Sequence, residues 1–253
     1  MINKKYFMTI AASDNSGGAG IQQDLKVADK LGFWGLSVLT AITVQDFSGL
    51  DSIYPLPLNL IKDQFIKNIT SFPVSVIKIG ALCSGEITEL ITNLLEEYYS
   101  GIVVIDPVLA PTKGKAFFDE KEIDIYKNLI KKATILTPNK RELEVLASGK
   151  ADSYPQALTL AHALLNETNC NIYIKGGHFS SPDSQEINEY LVTQDNQLLF
   201  TKTKQIFTYS HGTGCYFASA LACYLILYNN LVKACQKATE DVSSFYSELN
   251  KIR

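Results

Sequence analysis

The stretch Ser210-His211-Gly212-Thr213-Gly214-Cys215 runs directly into the segment Tyr216-Phe217-Ala218-Ser219-Ala220-Leu221-Ala222-Cys223. A polar segment with two glycines before an alanine-rich apolar run predicts a turn at the start of a buried helix. Glycine has no Cβ, so at Gly212 and Gly214 the first N–H groups of the helix can face a ligand. Such a helix start attracts anionic oxygens, and the helix dipole adds partial positive charge.

Cys215 lies in the first turn of this predicted helix, where the pKa of a thiol is commonly lowered. Phosphoryl transfer to an alcohol requires a group that accepts the hydroxyl proton and N–H donors that stabilise the charge on the phosphate. The stretch offers both, but a tight turn followed by a structural helix has the same pattern. The rest of the chain is needed to choose between the two interpretations.

Composition limits the class of protein. The chain has 253 residues, of which 46% are hydrophobic and 19% charged, and we expect one globular α/β domain over residues 1–253. The net charge of −3 gives no basis for nucleic acid or a membrane surface as a partner. Five cysteines without regular spacing favour a reducing compartment, so we expect a cytoplasmic protein.

Short apolar runs alternate with segments of helical periodicity along most of the chain. This alternation predicts a mostly parallel sheet covered by helices on both faces. The antiparallel exception is a predicted hairpin over residues 188–200. Strands are predicted at residues 6–12, 37–44, 74–79, 101–105, 134–136 and 171–174. Helices are predicted from Ile21 to Gly32, at residues 58–69, 87–98, 122–133 and 155–165, after Pro138, and around the apolar run 217–228.

Each of seven polar motifs comes after a predicted strand. In parallel sheets, ligands bind at the carboxyl ends of the strands, so these motifs are expected to converge on one edge. Their convergence is a stronger argument for a binding site than any one of them alone. The motifs are the segment 14–20, Gln45, Gly80, Asp106, Asn139, Lys175 and the segment 211–215.

Each of these side chains has a functional and a structural interpretation. The amide of Gln45 can bind the edge of a heterocycle, or it can be a solvated loop side chain. Asp106, before a proline, is suited to a metal or to phosphate-linked water. Asn139 and Glu142 have the spacing of a helix capping box, and could alternatively organise magnesium. Lys175, before two glycines, could contact a transferred phosphate.

Seven collinear segments of the chain resemble the hydroxymethylpyrimidine/phosphomethylpyrimidine kinases, ribokinase-like enzymes of thiamine biosynthesis. The resemblance implies a three-layer α/β/α sandwich with a mostly parallel central sheet and a small antiparallel hairpin. The chain departs from the family pattern at Ala12, at Leu82 and over residues 110–114, which reshapes the pocket wall and the lid. The similar segments are residues 9–26, 40–45, 78–82, 106–109, 137–142, 175–178 and 211–215.

The resemblance also implies roles for individual residues. Cys215 is the base that activates a hydroxymethyl oxygen, and the anion hole consists of Gly212, Thr213 and Gly214. Gln45 holds the aminopyrimidine edge, and the pocket is lined by Asp24, Ala12, Thr43, Gly80 and Val108. Lys175 contacts the phosphates of ATP, with Thr213 and Asn139 also at the nucleotide. Magnesium is organised by Asp106 and Glu142 together with Asn139.

The implied reaction is ATP- and Mg²⁺-dependent phosphorylation of 4-amino-5-hydroxymethyl-2-methylpyrimidine and of its monophosphate. The substrate is thus a small heteroaromatic alcohol, and the resemblance implies a homodimer. One alternative is a pyridoxal kinase of vitamin B6 salvage, since both substrates are heteroaromatic rings with a hydroxymethyl group. Another alternative is a non-catalytic protein that binds the pyrimidine. The presence together of six residues with implied catalytic roles argues against it: Cys215, Gly212, Gly214, Asp106, Asn139 and Glu142.

Overall fold

The computed structural model describes residues 4–46, 49–110, 118, 120–179, 185–204 and 211–252. Ser210 and residues 111–114, both discussed above, lie outside this part of the chain. The strands are β1 Lys5–Asp14, β2 Phe33–Asp46, β3 Gly49–Pro55, β4 Val74–Ile79, β5 Ile102–Ile105, β6 Ile135–Leu136, β7 Asn171–Ile174, β8 Glu186–Val192 and β9 Gln197–Thr203. The helices are α1 Gly20–Lys30, α2 Leu58–Ser71, α3 Gly85–Tyr98, α4 Glu120–Ile130, α5 Lys140–Leu146, α6 Tyr154–Thr168, α7 Thr213–Tyr228 and α8 Leu231–Ile252.

In the described residues, the nine strands form a single sheet in the order β3-β2-β1-β4-β5-β6-β7-β8-β9. The pairings from β2 through β1, β4, β5 and β6 to β7 are all parallel. Strands β8 and β9 form the predicted antiparallel hairpin. The predicted mostly parallel α/β sheet is therefore confirmed.

The expectation that this hairpin is the one antiparallel feature is wrong. Strand β3 pairs antiparallel with β2 at the opposite edge of the sheet, and β8 pairs antiparallel with β7. Strand β3 has no clean alternation of apolar and polar residues and ends at Pro55, so its sequence resembles a loop. Only pairing with β2 makes it a strand.

Alternate residues of the central strands face two separate apolar layers. On β1, Phe7 faces a layer that includes residues of α1, α7 and α8, whereas Met8 faces a layer that includes residues of α2 to α6. Val76 and Ile77 on β4 divide in the same way. This is the expected sandwich, and it places α1 and α7 on the same face of the sheet.

Helix α8 had no counterpart in the sequence analysis, which assigned no element to residues 231–252. Its buried residues Ala234, Cys235, Ala238 and Val242 recur at helical spacing and belong to the same apolar layer as α7. Because most of these side chains are small, the apolar stripe was only a weak indication of a buried helix in the sequence. Among the described residues, no helix has both the length and the apolar character needed to cross a bilayer. The single domain over residues 1–253 stays a prediction.

Candidate active site

The carboxyl ends of the parallel strands bring the predicted polar motifs to one edge of the sheet. Strand β1 lies between β2 and β4, where the order of strands along the sheet changes direction. A crevice at such a reversal is the usual ligand site of an open α/β sheet. The start of α7 reaches the same edge, because Gly212 contacts the glycine-rich segment that follows β1.

Asp14 organises the glycine-rich segment that follows β1. Its carboxylate accepts hydrogen bonds from the backbone and hydroxyl of Ser16, at 2.8 and 2.7 Å, and from the Ala19 N–H at 2.7 Å. It also lies 2.9 Å from Nε2 of His211. Burial raises the pKa of Asp14, but its bonds to His211, Ser16 and Ala19 outweigh this and hold that pKa below its ordinary value. Asp14 therefore links the loop after β1 to the segment that begins α7.

Gly212 is the residue immediately before α7, and it has a left-handed backbone with φ of 80°. A Cβ at this position would collide with the carbonyl oxygen of Gly18, so the two glycine-containing loops are in direct backbone contact. The first intrahelical bond of α7 is donated by the Tyr216 N–H to the Gly212 carbonyl. The N–H groups of residues 213–215 thus lack helical partners, and no side chain in the described residues caps them.

Gly214, in the first turn of α7, abuts a cluster of charged side chains. A Cβ there would be 3.3 Å from both Oδ2 of Asp106 and Nζ of Lys175. Lys175 Nζ lies 2.7 Å from Oδ1 of Asp106 and 3.6 Å from Oε2 of Glu142. The structure thus brings together the ends of β5, β6 and β7 with the predicted anion hole.

Glu142 has the structural role that the sequence offered for it. Its side chain accepts a hydrogen bond from the Asn139 N–H at 2.7 Å, and Asn139 Oδ1 accepts from the Glu142 N–H at 3.1 Å. This capping box also holds the carboxylate beside Lys175. Burial raises the pKa of Glu142 to about 7, although the Lys175 ammonium opposes the shift. Burial alone would lower the pKa of Lys175, but Asp106 and Glu142 more than offset it and raise that pKa.

Cys215 differs from its expected electrostatic state. Of the five cysteines, all of which are described and free, it is the only one that is not buried as a residue. Its thiol nevertheless lies among protein groups, and burial raises its pKa to about 11, with Lys78 opposing the shift. The expectation of a lowered pKa is therefore wrong, since desolvation outweighs the effect of the helix start.

The residues predicted to line the acceptor pocket lie along the ends of β1, β2, β4 and β5. Thr43 is buried and donates from Oγ1 to the Ser13 carbonyl at 2.7 Å. Ala12 is buried and packs with Ala41 and Cys83 in a small apolar cluster. The predicted roles of these residues stay predictions.

The three remaining pocket residues at this edge are fixed through their backbone N–H groups. The Gln45 N–H donates to Oδ1 of Asn15 at 2.8 Å. The Gly80 N–H donates to the Ile10 carbonyl at 2.9 Å. The Val108 N–H donates to the Asp106 carbonyl at 2.8 Å. The Gln45 side chain is thus not needed to hold its own backbone in place.

Comparisons with known proteins agree with this geometry. Residues 14–251 match the family model described as phosphomethylpyrimidine kinase. The chain belongs to this family.

Individual relatives cover most of the chain. A hydroxymethylpyrimidine/phosphomethylpyrimidine kinase from Haemophilus influenzae is 31% identical, over 98% of this chain and 93% of the relative. The thiamine biosynthesis bifunctional protein ThiED of Geobacter sulfurreducens is 35% identical over 94% of this chain, which spans only 48% of that protein. The family resemblance and the enzyme class expected from the sequence are confirmed.

Solved structures agree with the predicted ribokinase-like sandwich. A pyridoxal kinase from Staphylococcus aureus in complex with AMP-PCP matches with a TM-score of 0.87 and 28% identity, over 96% of this chain and 88% of the other. A phosphomethylpyrimidine kinase from Clostridium difficile 630 matches with a TM-score of 0.79 and 30% identity, over 95% and 99% of the two chains.

Asp24 was predicted to line the substrate pocket, but its position in the structure differs from that of a pocket-lining side chain. It is fully buried, and its carboxylate accepts hydrogen bonds from Thr9 at 2.6 Å and from Ser219 at 2.8 Å. It also forms an ion pair of 2.9 Å with Lys78, which is fully buried as well. A contact between Asp24 and substrate stays a prediction, and in the structure its oxygens are bonded to protein groups.

Sequence reasoning gave no role to Lys78, Asp14 or His211 individually. Lys78 carried a usable signal, because a charged residue inside the apolar strand 74–79 needs a buried partner. The pairing of Asp14 with His211 joins residues far apart in the chain and had no signal. In the described residues, no group of three or more His, Cys, Asp or Glu side chains is arranged to hold a metal ion.

Proposed function

We propose that this protein transfers the γ-phosphoryl group of ATP to the hydroxymethyl oxygen of 4-amino-5-hydroxymethyl-2-methylpyrimidine, and then to the phosphate of that product. The observation that carries the proposal is the start of α7, where Cys215 follows a glycine that abuts the Asp106–Lys175 pair. The family match over residues 14–251 and the name of the Haemophilus relative support the substrate class.

In the first step, the hydroxymethyl oxygen forms a bond to the γ-phosphorus while the bond from that phosphorus to the β–γ bridging oxygen breaks. ADP leaves, and the hydroxyl proton passes to the Cys215 thiolate. A thiol with a pKa of about 11 is a strong base once deprotonated, but its thiolate is scarce at neutral pH. The N–H groups of residues 213–215, which have no partner within the helix, suit the charge on the transferred phosphoryl group.

In the second step, the nucleophile is a phosphate oxygen that already carries negative charge. No proton has to be removed from it at neutral pH, so this step needs no base. Cys215 is therefore proposed to matter more for the first phosphorylation than for the second. The anion-binding start of α7 serves both steps, because each transfers a γ-phosphoryl group from an ATP molecule.

Lys175, Asp106 and Glu142 are proposed to form the nucleotide side of the site. Mg²⁺ that accompanies ATP is commonly held by one or two carboxylates and by phosphate oxygens. Asp106 and Glu142 supply two adjacent carboxylates, which fits that kind of site, and Lys175 between them fits a contact to ATP phosphates. Asn139 is proposed to support Glu142 through the capping box.

The acceptor side is proposed to be formed by Gln45 and its neutral neighbours. An amide side chain both donates and accepts hydrogen bonds, which matches the edge of an aminopyrimidine. The Gln45 backbone is held by Asn15, so its side chain is available for a ligand. Ala12, Thr43, Gly80 and Val108 are proposed to line the wall. A cytoplasmic location and a homodimer also stay proposals.

A second candidate function is phosphorylation of pyridoxal. It is favoured by the similarity to the pyridoxal kinase from Staphylococcus aureus, which has a TM-score of 0.87. The same base and the same phosphoryl chemistry would serve a hydroxymethyl group on a pyridine ring. Discrimination between the pyrimidine and the pyridine ring then depends on Gln45 and the other residues of the acceptor side.

The deciding experiment measures ADP formation by the purified protein with ATP, Mg²⁺ and one acceptor at a time. The acceptors are the hydroxymethylpyrimidine, its monophosphate and pyridoxal. We expect turnover with both pyrimidines and a lower kcat/KM for pyridoxal. Turnover of pyridoxal alone would replace the proposed activity with the second candidate. Binding of the pyrimidine without any ADP formation would instead identify a non-catalytic binding protein.

A further inference from the structure

A fully buried ion pair lies beneath the predicted active site. Lys78 on β4 and Asp24 on α1 are both inaccessible to solvent, with Nζ and Oδ2 2.9 Å apart. Thr9 Oγ1 donates to Oδ2 of Asp24 at 2.6 Å, and Ser219 Oγ on α7 donates to Oδ1 at 2.8 Å. The network therefore joins β1, β4, α1 and α7 around a single carboxylate.

The position of Ser219 relates this network to Cys215. Ser219 follows Cys215 by four positions in α7, so the two side chains lie on the same helix face about one turn apart. The carboxylate that binds Ser219 thus lies about one turn below the thiol. Lys78 Nζ lies 2.8 Å from the position that a Cβ of Gly80 would occupy. The ammonium is therefore next to the carboxyl end of β4, at the base of the site.

A contribution to the stability of the fold is a weak explanation for this buried ion pair. Desolvation of two buried charges commonly offsets their attraction, and well-packed neutral residues of similar volume are often as stable. A buried charge does, however, act strongly on a neighbouring ionisable group in a dry environment. Lys78 lowers the pKa of the Cys215 thiol, and Asp24 raises it. The charged or titratable groups that act electrostatically on this thiol are Lys78, Asp24, Asp106, Lys175 and Tyr246.

We infer that Lys78 is a positioning residue whose buried charge supports the thiolate of Cys215, and that Asp24 holds Lys78 in place and moderates its effect. The consequence for turnover rests on the proposed function, because it assumes that Cys215 acts as the base. The inferred effect on the thiol itself does not depend on substrate or ATP. Removal of the Asp24 charge alone, and removal of both charges of the ion pair, should therefore change the reactivity of the Cys215 thiol in opposite directions.

The test measures alkylation of Cys215 by iodoacetamide between pH 7 and pH 10.5, followed by mass spectrometry of the peptide that contains it. The four other cysteines are buried, which favours selective reaction at Cys215. Asp24→Asn leaves the Lys78 charge unopposed, and we expect about tenfold faster alkylation at pH 8. The double variant Lys78→Met/Asp24→Asn removes both charges, and we expect alkylation several-fold slower than in the wild type.

Opposite shifts of the two pH profiles support the inference, since a merely structural pair would move both in the same direction or neither. If Asp24→Asn does not fold, the neutral double variant decides alone: slower alkylation supports the inference, and an unchanged profile overturns it. Lys127→Met is the control, because it removes a lysine paired with Glu167 at 3.0 Å on the opposite face of the sheet. It should leave the Cys215 profile unchanged. Because no ATP is present, the result stands whether or not the proposed kinase activity is found.

Discussion

The carboxyl edge of the sheet has a neutral half and a charged half, and they are held together differently. In the neutral half, which comprises Ala12, Thr43, Gln45 and Gly80, three residues are fixed by hydrogen bonds to or from backbone groups. In the charged half, which comprises Asp106, Asn139, Glu142 and Lys175, ion pairs and a capping box fix the side chains themselves.

This difference determines what a substitution should do. Apart from Thr43, whose hydroxyl makes the supporting bond, side chains of the neutral half can change without loss of their backbone support, so their effects should be confined to the acceptor. In the charged half, loss of one partner leaves another charge buried and unpaired, so effects should be larger and should reach the nucleotide. Cys215 and Gly212 lie where the two halves meet.

The largest effect is expected for Cys215→Ala, which tests the junction between the halves. We expect the rate with the hydroxymethylpyrimidine to fall by about 10²–10⁴-fold, the usual contribution of a general base. The rate with the monophosphate should fall less, because its phosphate is already ionised. The measurement is single-turnover phosphorylation with each acceptor. Cys223→Ala, a change at a buried cysteine of the same helix, is the matched control and should retain both rates.

The pH profile sharpens this result. A thiol with a pKa of about 11 is deprotonated in a fraction that grows about tenfold per pH unit below that value. The wild-type rate with the hydroxymethylpyrimidine should therefore rise from pH 7 to pH 9, and the Cys215→Ala rate should not. Equal losses with both acceptors, or an unaltered pH profile in the variant, would remove Cys215 from the role of base.

Gly212→Ala should break the contact between the two loops. Gly212 and Gly32 have nearly the same φ, at 80° and 78°, but a Cβ at Gly32 meets nothing within 4 Å. We expect Gly32→Ala to lower the free energy of unfolding by about 1–2 kcal/mol from backbone strain alone. Gly212→Ala should lower it by roughly 2–4 kcal/mol, because the Gly18 carbonyl must also move.

Urea unfolding followed by circular dichroism gives both values. If the two alanine variants lose equal stability, the close approach of Gly212 to Gly18 contributes nothing beyond the left-handed backbone. A larger loss at Gly212 would instead agree with two loops that form one rigid unit.

The sequence predicted the two halves unequally well. Local pattern was sufficient for the parallel strands, for the capping box at Asn139 and Glu142, and for the convergence of motifs on one edge. These features depend on periodicity and on short-range spacing, which a single chain displays directly. Apart from Gln45, whose amide suggested a contact to a heterocycle, residue roles in the neutral half came only from family resemblance, since small neutral side chains carry no chemical signal of their own.

What the sequence could not reveal depends on contacts between distant segments. Strand β3 exists through pairing with β2, and the partners of Asp24 lie on β1, β4 and α7. The direction in which the pKa of the Cys215 thiol is shifted was missed for the same reason. A helix start suggests a lower thiol pKa, but the burial that raises it is a property of the folded site.

Lys175→Met tests the charged half. Its loss leaves Asp106 and Glu142 side by side without their shared cation. We expect kcat/KM for ATP to fall by about 10–100-fold, the effect of roughly 1.5–3 kcal/mol for a hydrogen bond to a charged group. Binding of the pyrimidine, measured by calorimetry without nucleotide, should change little.

Lys202→Met provides the matched control for this variant. Lys202 is 23% exposed and pairs with Glu189 at 2.9 Å, whereas Lys175 is 17% exposed. Loss of Lys202 should leave kcat/KM for ATP unchanged. A similar loss of ATP turnover in both variants would mean that general destabilisation, and not a contact to phosphate, explains the Lys175 result.

Gln45→Ala tests the neutral half and should have the smallest effect. The Gln45 backbone stays bonded to Asn15, so only the side-chain amide is lost. We expect about 3–10-fold weaker binding of the hydroxymethylpyrimidine, the effect of one neutral hydrogen bond, with ATP binding unchanged. Calorimetric titration with each ligand separately measures both quantities.

Two further variants separate recognition from support. Gln45→Glu keeps an acceptor oxygen, but replaces the N–H donor with a second oxygen and adds a negative charge, so weaker binding there as well is expected if the donor binds the ring. Asn15→Ala removes one hydrogen bond to the Gln45 backbone and keeps the amide side chain. If it weakens pyrimidine binding as much as Gln45→Ala does, then the neutral half depends on backbone position. In that case the identity of its side chains would not explain the choice between a pyrimidine and pyridoxal.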